Sequence, residues 1–173
     1  MKKVFDAIGN LVNGIDVVER WIVTILFGEA IIVGFLQVLC RFVLKASLPW
    51  SEELLRFTFI WLTYIAASMG IMRGTHSDVR VVVDHFPPSA RKWLAVFREV
   101  ATLVFVAIVF RYSINIISLQ IARNQVSPAM KIPMYIPYSG VMVSFGLMMI
   151  QSIYRLIDAL RTALSKTAAE ENV

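Results

Sequence analysis

The chain has 173 residues, of which 58% are hydrophobic and only 17% are charged. Its apolar residues are collected in blocks of about 20, the length that crosses the hydrocarbon core of a bilayer, so a water-soluble globular fold is excluded. The net charge of +5 lies in short connections and at the termini. Without a basic face or a recognition motif, this charge indicates orientation in a membrane and not nucleic-acid binding.

The first half of the sequence predicts a surface helix and two spans of an all-α integral membrane protein. Apolar residues recur at steps of three and four in residues 1–20, so we expect an amphipathic helix on the cytoplasmic surface. The first span is expected at 21–44. The second span is expected at 51–72, after Pro49, with Ser51 as its N-cap.

The second half predicts a further interfacial helix and two more spans, which makes four transmembrane helices in total. Residues 78–86 carry an apolar stripe of helical spacing and are expected to lie flat at the interface, with a short strand as the alternative. The third span is expected at 89–122. At 1.5 Å per residue it measures about 51 Å against about 30 Å of hydrocarbon, so it must tilt, project or break near 111–115. The fourth span is expected at 135–158, and 159–173 form a cytoplasmic tail.

Lysine and arginine are unequally divided between the two sides of the predicted bundle. One side carries eleven of these residues: Lys2, Lys3, Arg20, Arg73, Arg80, Arg91, Lys92, Arg98, Arg155, Arg161 and Lys166. The other side carries four: Arg41, Lys45, Arg123 and Lys131. Because basic residues accumulate in cytoplasmic connections, we expect both termini in the cytoplasm.

Glu29 is the most conspicuous polar residue within a predicted span. It follows Trp21 by about 12 Å along the helix, and a carboxyl group at such a depth is a functional candidate by default. Three interpretations stay open. Glu29 is a proton or ion site, it forms a structural pair with Arg98, or it faces a partner protein.

Four charged residues fall near the outer ends of their spans, namely Glu52, Glu53, Arg56 and Arg111. A buried charge without a partner is costly, so we expect these four to form an ion-paired network. The alternative is that the two arginines form a site for an anionic substrate.

The sequence contains no recognisable binding motif for a metal or a cofactor. His76 and His85 lie with Asp78 and Asp84 in the middle connection, but their spacing fits no common ligand pattern. No histidine lies within a span, which argues against a haem held between helices. A Gly-rich phosphate loop and a nucleophile elbow are also missing, so we expect no cofactor, no metal and no enzymatic activity.

Small residues recur four apart in three spans and predict close helix contacts. The pairs are Ala30 with Gly34, Ala66 with Gly70, and Gly140 with Ser144. The spans lack the central Gly or Pro interruptions that build midplane sites in secondary transporters. A transport site is therefore expected on another polypeptide.

Several short motifs together resemble a known family. They are PWSEE at 49–53 followed by Arg56, MRGTH at 72–76, Asp84, the Pro87-Pro88 break, and SPAMKIP at 127–133. In this combination the chain resembles the small membrane subunit of tripartite ATP-independent periplasmic (TRAP) transporters. The resemblance extends from the first span to Ile157.

The resemblance implies a bacterial inner-membrane protein that works with two partners. A large multi-spanning subunit would carry sodium and substrate, and a periplasmic substrate-binding protein would deliver an organic acid such as a C4-dicarboxylate or a sialic acid. The small subunit would brace the large one among the membrane lipids and help to dock the binding protein. Trp50 and His76, within the shared motifs, join the candidate interface residues.

Two other classes of protein remain as alternatives. A self-contained four-helix proton-coupled exporter of the small multidrug resistance kind would use Glu29, but that family has minimal loops and no segment like 78–86. A membrane anchor of a redox complex is disfavoured because the spans lack histidine.

Overall fold

The computed structural model describes residues 2–46, 48–73 and 88–170 and consists of four long helices. They are α1 (Lys2–Phe42), α2 (Pro49–Arg73), α3 (Pro88–Ala122) and α4 (Tyr135–Glu170). Each contains a stretch that is long and apolar enough to cross a membrane, within Ile8–Phe42, Pro49–Met72, Trp93–Ala122 and Tyr135–Leu164. The predicted all-α fold with four long apolar helices is confirmed. The predicted helix at 78–86 and His76 lie outside the described residues.

The helices are arranged in the spatial order α3, α4, α2, α1. The helix α4 packs against both α3 and α2, α2 packs against α1, and a smaller contact joins α1 to α4. The buried share of the most apolar stretch is 33% in α4 and 28% in α2, but only 11% in α1 and in α3. The two central helices therefore hold the bundle together, and the two outer helices present most of their apolar surface outward.

The apolar core lies where α2, α3 and α4 meet. Ile71, Val106, Phe145 and Met148 are buried in one cluster. The Phe145 ring contacts the rings of Tyr64 and Phe105, with centroids 5.8 and 6.3 Å apart. Aromatic pairs at such separations add to the free energy of burial, so this cluster fixes the three helices relative to one another.

The outer helices show no break where the sequence analysis placed one. The helix α1 is continuous through residue 20, with no change from a surface segment to a separate span, because no proline occurs between Lys2 and Phe42. The helix α3 is likewise continuous through 111–115, so at about 52 Å it tilts in or projects from a bilayer.

Two helix boundaries differ from those expected. Pro49 opens α2, since its fixed φ and missing N–H suit a first helical position. Ser51 therefore lies inside the first turn, where its Oγ donates to the Leu48 carbonyl at 2.7 Å, and the predicted N-cap role is wrong. The helix α4 extends to Glu170 through most of the predicted tail, because no Gly or Pro follows Gly146 in it.

Close helix contact is required at one of the three predicted small-residue pairs. A Cβ atom on Gly140 of α4 would lie 2.9 Å from three ring atoms of Trp61 on α2. Gly34, in contrast, has open space around the position of a Cβ atom. Gly140 therefore lies at a close contact between the two central helices, where the absence of a side chain admits an indole ring.

Candidate functional site

The Glu53 carboxylate joins the start of α2 to the connection between α3 and α4. Its Oε2 atom accepts hydrogen bonds from Ser127 Oγ at 3.0 Å and from the backbone N–H groups of Ala129 and Met130 at 2.9 and 2.8 Å. Glu53 and Ser127 are both buried. Three donors on one carboxylate oxygen form a charge-assisted arrangement, which fixes the loop against α2.

The connection held by Glu53, residues 123–134, is itself an ordered loop. An antiparallel bridge pairs Val126 with Pro133, and the Ser127 N–H donates to the Ile132 carbonyl at 2.8 Å. Asn124 and Lys131 adopt positive φ values of 46° and 58°. Asn124 thereby ends α3 in the left-handed conformation common after a helix, and the loop turns back toward α2.

Among the described residues, the four charges of the predicted outer network form no direct ion pair, although Glu53 and Arg56 of α2 are close enough to interact electrostatically. Glu53 is occupied by loop donors, and Glu52 accepts from Gln37 of α1 at 3.2 Å. Arg111 donates to Asn115 of its own helix at 2.7 Å. The prediction considered charges alone, whereas backbone N–H groups compete for the carboxylate and α4 separates α3 from much of α2.

Arg56 lies on an open groove between α1 and α2. The groove has a volume of about 630 Å³ and is lined by Gln37, Glu52, Leu55, Arg56, Phe59, Ile60, Thr63 and Tyr64. Arg56 is exposed and makes no ion pair with a residue in the described part of the chain. Trp50, at the beginning of the same helix, is 39% exposed. Charged, amide and aromatic groups therefore share one uncovered surface near the start of α2.

Glu29 contacts α2 and not Arg98. Its Oε2 accepts a hydrogen bond from Thr58 Oγ1 at 2.7 Å, while its Oε1 is buried and has no hydrogen-bond partner. Arg98 donates instead to Glu99 at 2.8 Å. Of the three interpretations of Glu29, the pair with Arg98 is absent because α2 and α4 lie between α1 and α3.

A second charged cluster, near the end of α2, was not predicted. Glu99 of α3 is buried, accepts a hydrogen bond from Arg98 at 2.8 Å and forms an ion pair with Arg155 of α4 at 3.3 Å. Arg155 also donates to the backbone carbonyls of Ile71 and, at 3.5 Å, Met72. A cation thus satisfies carbonyls at the end of α2, where the helix dipole favours positive charge.

A buried polar chain, also missed, crosses three helices. Gln151 of α4 donates to Glu19 of α1 at 3.0 Å and accepts from Ser68 of α2 at 3.4 Å. Glu19 is 1% exposed, and Gln151 and Ser68 are fully buried. An available signal was Gln151 itself, an amide within the apolar stretch of α4, since such a side chain can form hydrogen bonds across helices.

The described residues contain no group of three or more His, Cys, Asp or Glu side chains able to hold a metal ion. The polar clusters pair acids with amides, hydroxyls, arginines and backbone groups. Such arrangements join helices and fix loops. The geometry therefore defines a multi-pass membrane protein whose buried charged groups join its helices and loops.

Comparison with known proteins identifies the family. Residues 30–162 match the family described as tripartite ATP-independent periplasmic transporters, DctQ component. The chain belongs to this family and is a TRAP transporter small membrane subunit. The suspected resemblance is thereby confirmed, and this family assignment replaces the exporter and redox-anchor alternatives.

Three relatives illustrate the match. The isethionate TRAP transporter permease protein DctMQ of Oleidesulfovibrio alaskensis is 34% identical over 67% of this chain and 18% of that protein. The C4-dicarboxylate TRAP transporter small permease protein DctQ of Vibrio cholerae is 27% identical over 52% of the chain and 39% of that protein. The sialic acid TRAP transporter small permease protein SiaQ of the same organism is 30% identical over 52% of each. The chain thus spans about half or less of these relatives.

Proposed function

We propose that this chain braces a large transport subunit in a sodium-driven TRAP system that takes up an organic acid across a bacterial inner membrane. In the same proposal it helps to dock the periplasmic substrate-binding protein, and both of its termini are cytoplasmic. The observation that supports bracing most directly is the uncovered groove between α1 and α2.

The chemistry of this groove favours a protein partner over lipid. Glu52 and Arg56 are exposed charged residues on a helix that otherwise suits the membrane, and a charge exposed to hydrocarbon is costly. Gln37 and Tyr64 add polar groups that can donate hydrogen bonds across a helix interface. A large subunit seated here would cover both charges and pair them.

The outer apolar faces support a protein that keeps its position in the bilayer. Ile32 and Phe35 of α1 are 69% and 65% exposed, and Phe97 and Phe105 of α3 are 69% and 61% exposed. Such surfaces suit lipid chains and partner helices, while α2 and α4 remain tied by the core. A bundle built in this way can stay in place while an attached subunit moves.

The substrate class rests on the relatives. Those named above carry isethionate, C4-dicarboxylate or sialic acid in their names, and each of these is an organic acid. We propose an organic acid for this chain too, with C4-dicarboxylates and sialic acids as the classes to test first.

The test is co-expression of the chain with the large subunit of the same transport system. Arg56→Glu should reduce co-purification of the large subunit at least tenfold, since a reversed charge leaves a buried charge on the partner unpaired. Asp158→Arg, a charge reversal at an exposed position on α4, serves as the control. Unchanged co-purification of Arg56→Glu would remove the groove from the interface.

A second measurement tests transport itself. Proteoliposomes that contain the two-subunit complex should take up the organic acid only with an inward sodium gradient and the binding protein outside. Vesicles with the large subunit alone should lose this uptake. Sodium-independent uptake, or full uptake without this chain, would contradict the proposal.

A further inference from the structure

The hydrogen bonds accepted by Glu53 hold the loop 123–134, whose exposed surface has no other assigned role. One carboxylate oxygen receives a hydroxyl group and two consecutive backbone N–H groups, all from residues 74 to 77 positions further along the chain. Glu53 and Ser127 expose little surface in the folded chain, so loss of these bonds would free the loop from α2. The position of the loop relative to α2 is therefore set mainly by one side chain.

The surface that this loop presents is basic. Lys131 and Arg123 of the loop are exposed, and so are Lys45 in the connection between α1 and α2 and Arg41 near the end of α1. The segments 41–48 and 123–134 contain no Asp or Glu. Pro128 and Ala129 at the tip of the loop are also exposed, so a small apolar patch lies among the positive charges.

The loop is also stiff. Proline at 128 and 133 restricts φ, the Val126–Pro133 bridge closes the loop, and the Met134 N–H donates to the Gln125 carbonyl at 2.9 Å. Preorganisation of this kind raises affinity because less conformational entropy is lost on binding. A stiff, basic and exposed loop is suited to an acidic protein surface in water, since opposite potentials steer encounter and fix register.

We propose that Glu53 is a positioning residue that holds the loop 123–134 as a basic docking surface for an acidic face of the periplasmic substrate-binding protein. This inference rests on the proposed function and orientation, and adds the residue that sets the surface and the charge of the face it receives. Glu53 itself is covered by the loop and acts only through the backbone it holds.

The experiment uses the two-subunit complex in proteoliposomes and the substrate-binding protein of the same system as the probe. Initial uptake is measured against the concentration of binding protein, at low and high salt. Glu53→Ala should raise the half-saturating concentration about tenfold, as expected when a buried hydrogen-bond set is lost and the loop is freed. The maximal rate should change less than twofold, because the transport step does not involve the loop.

Glu53→Gln should restore most of the apparent affinity, since its amide oxygen can accept the same bonds. Lys131→Glu, at an exposed position, should raise the half-saturating concentration severalfold and weaken its dependence on salt. Gln125→Ala, an exposed side chain of the same loop, is the matched control and should behave as the wild type.

Three outcomes separate the hypotheses. An unchanged half-saturating concentration in both Glu53→Ala and Lys131→Glu, with normal wild-type uptake, overturns this inference and leaves the proposed function intact. Loss of the large subunit from Lys131→Glu complexes also overturns it, because the loop would then contact that subunit. No uptake by the wild-type complex overturns the proposed function itself.

Discussion

The two ends of α2 are tied to distant parts of the chain by side chains of opposite charge. At its beginning, the Glu53 carboxylate accepts backbone N–H groups of the loop 123–134. At its end, Arg155 of α4 donates to the Ile71 and Met72 carbonyls and is itself paired with Glu99. An acid near the start and a base near the end also match the helix dipole.

The difference lies in what each charge is bonded to. Glu53 is satisfied by neutral donors, so the loop contributes geometry without a counter-charge. Arg155 shares Glu99 with Arg98, and this arrangement keeps two guanidinium groups close together only while the carboxylate is present. The end of α2 therefore depends on charge balance, and its beginning depends on backbone shape.

The largest expected effect comes from removing the shared acid. Glu99→Ala should lower the free energy of unfolding by about 3 kcal/mol, toward the lower limit for a broken buried ion pair, because both arginines keep partial exposure. Thermal unfolding of the detergent-solubilised chain would measure it. Adding Arg98→Ala should recover part of the loss by removing like-charge repulsion, and no recovery would contradict the charge-balance account.

Removal of the loop acceptor should have the next largest effect. Glu53→Ala leaves two backbone N–H groups and a hydroxyl group without their acceptor, and should lower the unfolding temperature by less than Glu99→Ala does. Limited proteolysis should then cut within 123–134 first. The double variant with Glu99→Ala should add the two losses because the two clusters lie at opposite ends of α2, whereas strong coupling would show that the two ends are not independent.

A smaller effect is expected for packing between the central helices. Gly140→Ala places a Cβ atom 2.9 Å from the Trp61 ring, and the required shift should cost about 1–2 kcal/mol. Gly34→Ala, where nothing lies within 4 Å, is the control and should be neutral or slightly stabilising. A higher unfolding temperature for Gly140→Ala would show that the contact is loose.

The smallest effect is expected at the buried polar chain. Glu19→Gln keeps the acceptor for Gln151 and removes a carboxyl group whose Oε1 has no hydrogen-bond partner, so stability should rise by less than about 1 kcal/mol. Glu19→Ala, which leaves the Gln151 amide unpaired, should instead destabilise the bundle. A marked loss of stability in Glu19→Gln would mean that the negative charge itself has a partner.

The fold followed from the sequence more closely than the site did. Four apolar blocks of sufficient length can only be helices in a membrane, and Pro49 and Pro128 indicated where connections fall. The unbroken α1 was not predicted, since an amphipathic start can either lie on a surface or continue a span. The extent of α4 was underestimated because polarity was taken as the end of a helix.

The side-chain partners were harder to predict because they depend on which helices are neighbours. Glu53 was among the candidate interface residues, but its donors are a hydroxyl group and two backbone N–H groups, which no charge pattern reveals. Glu29 and Arg98 were paired by depth alone, and the order α3, α4, α2, α1 separates them. Gln151, an amide in an apolar helix, was the overlooked indication of a buried contact.

The dependence of α2 on residues 127–130 and 155 has a consequence for how the chain is made. A ribosome completes α1 and α2 well before it reaches the loop and α4. During that interval, the Glu53 carboxylate at the beginning of α2 lacks its loop donors, and the Ile71 and Met72 carbonyls at its end lack the Arg155 side chain. The last third of the polypeptide therefore supplies the hydrogen-bond partners that α2 lacks until then. Chains that stop short of it would expose polar groups that cellular quality control can detect.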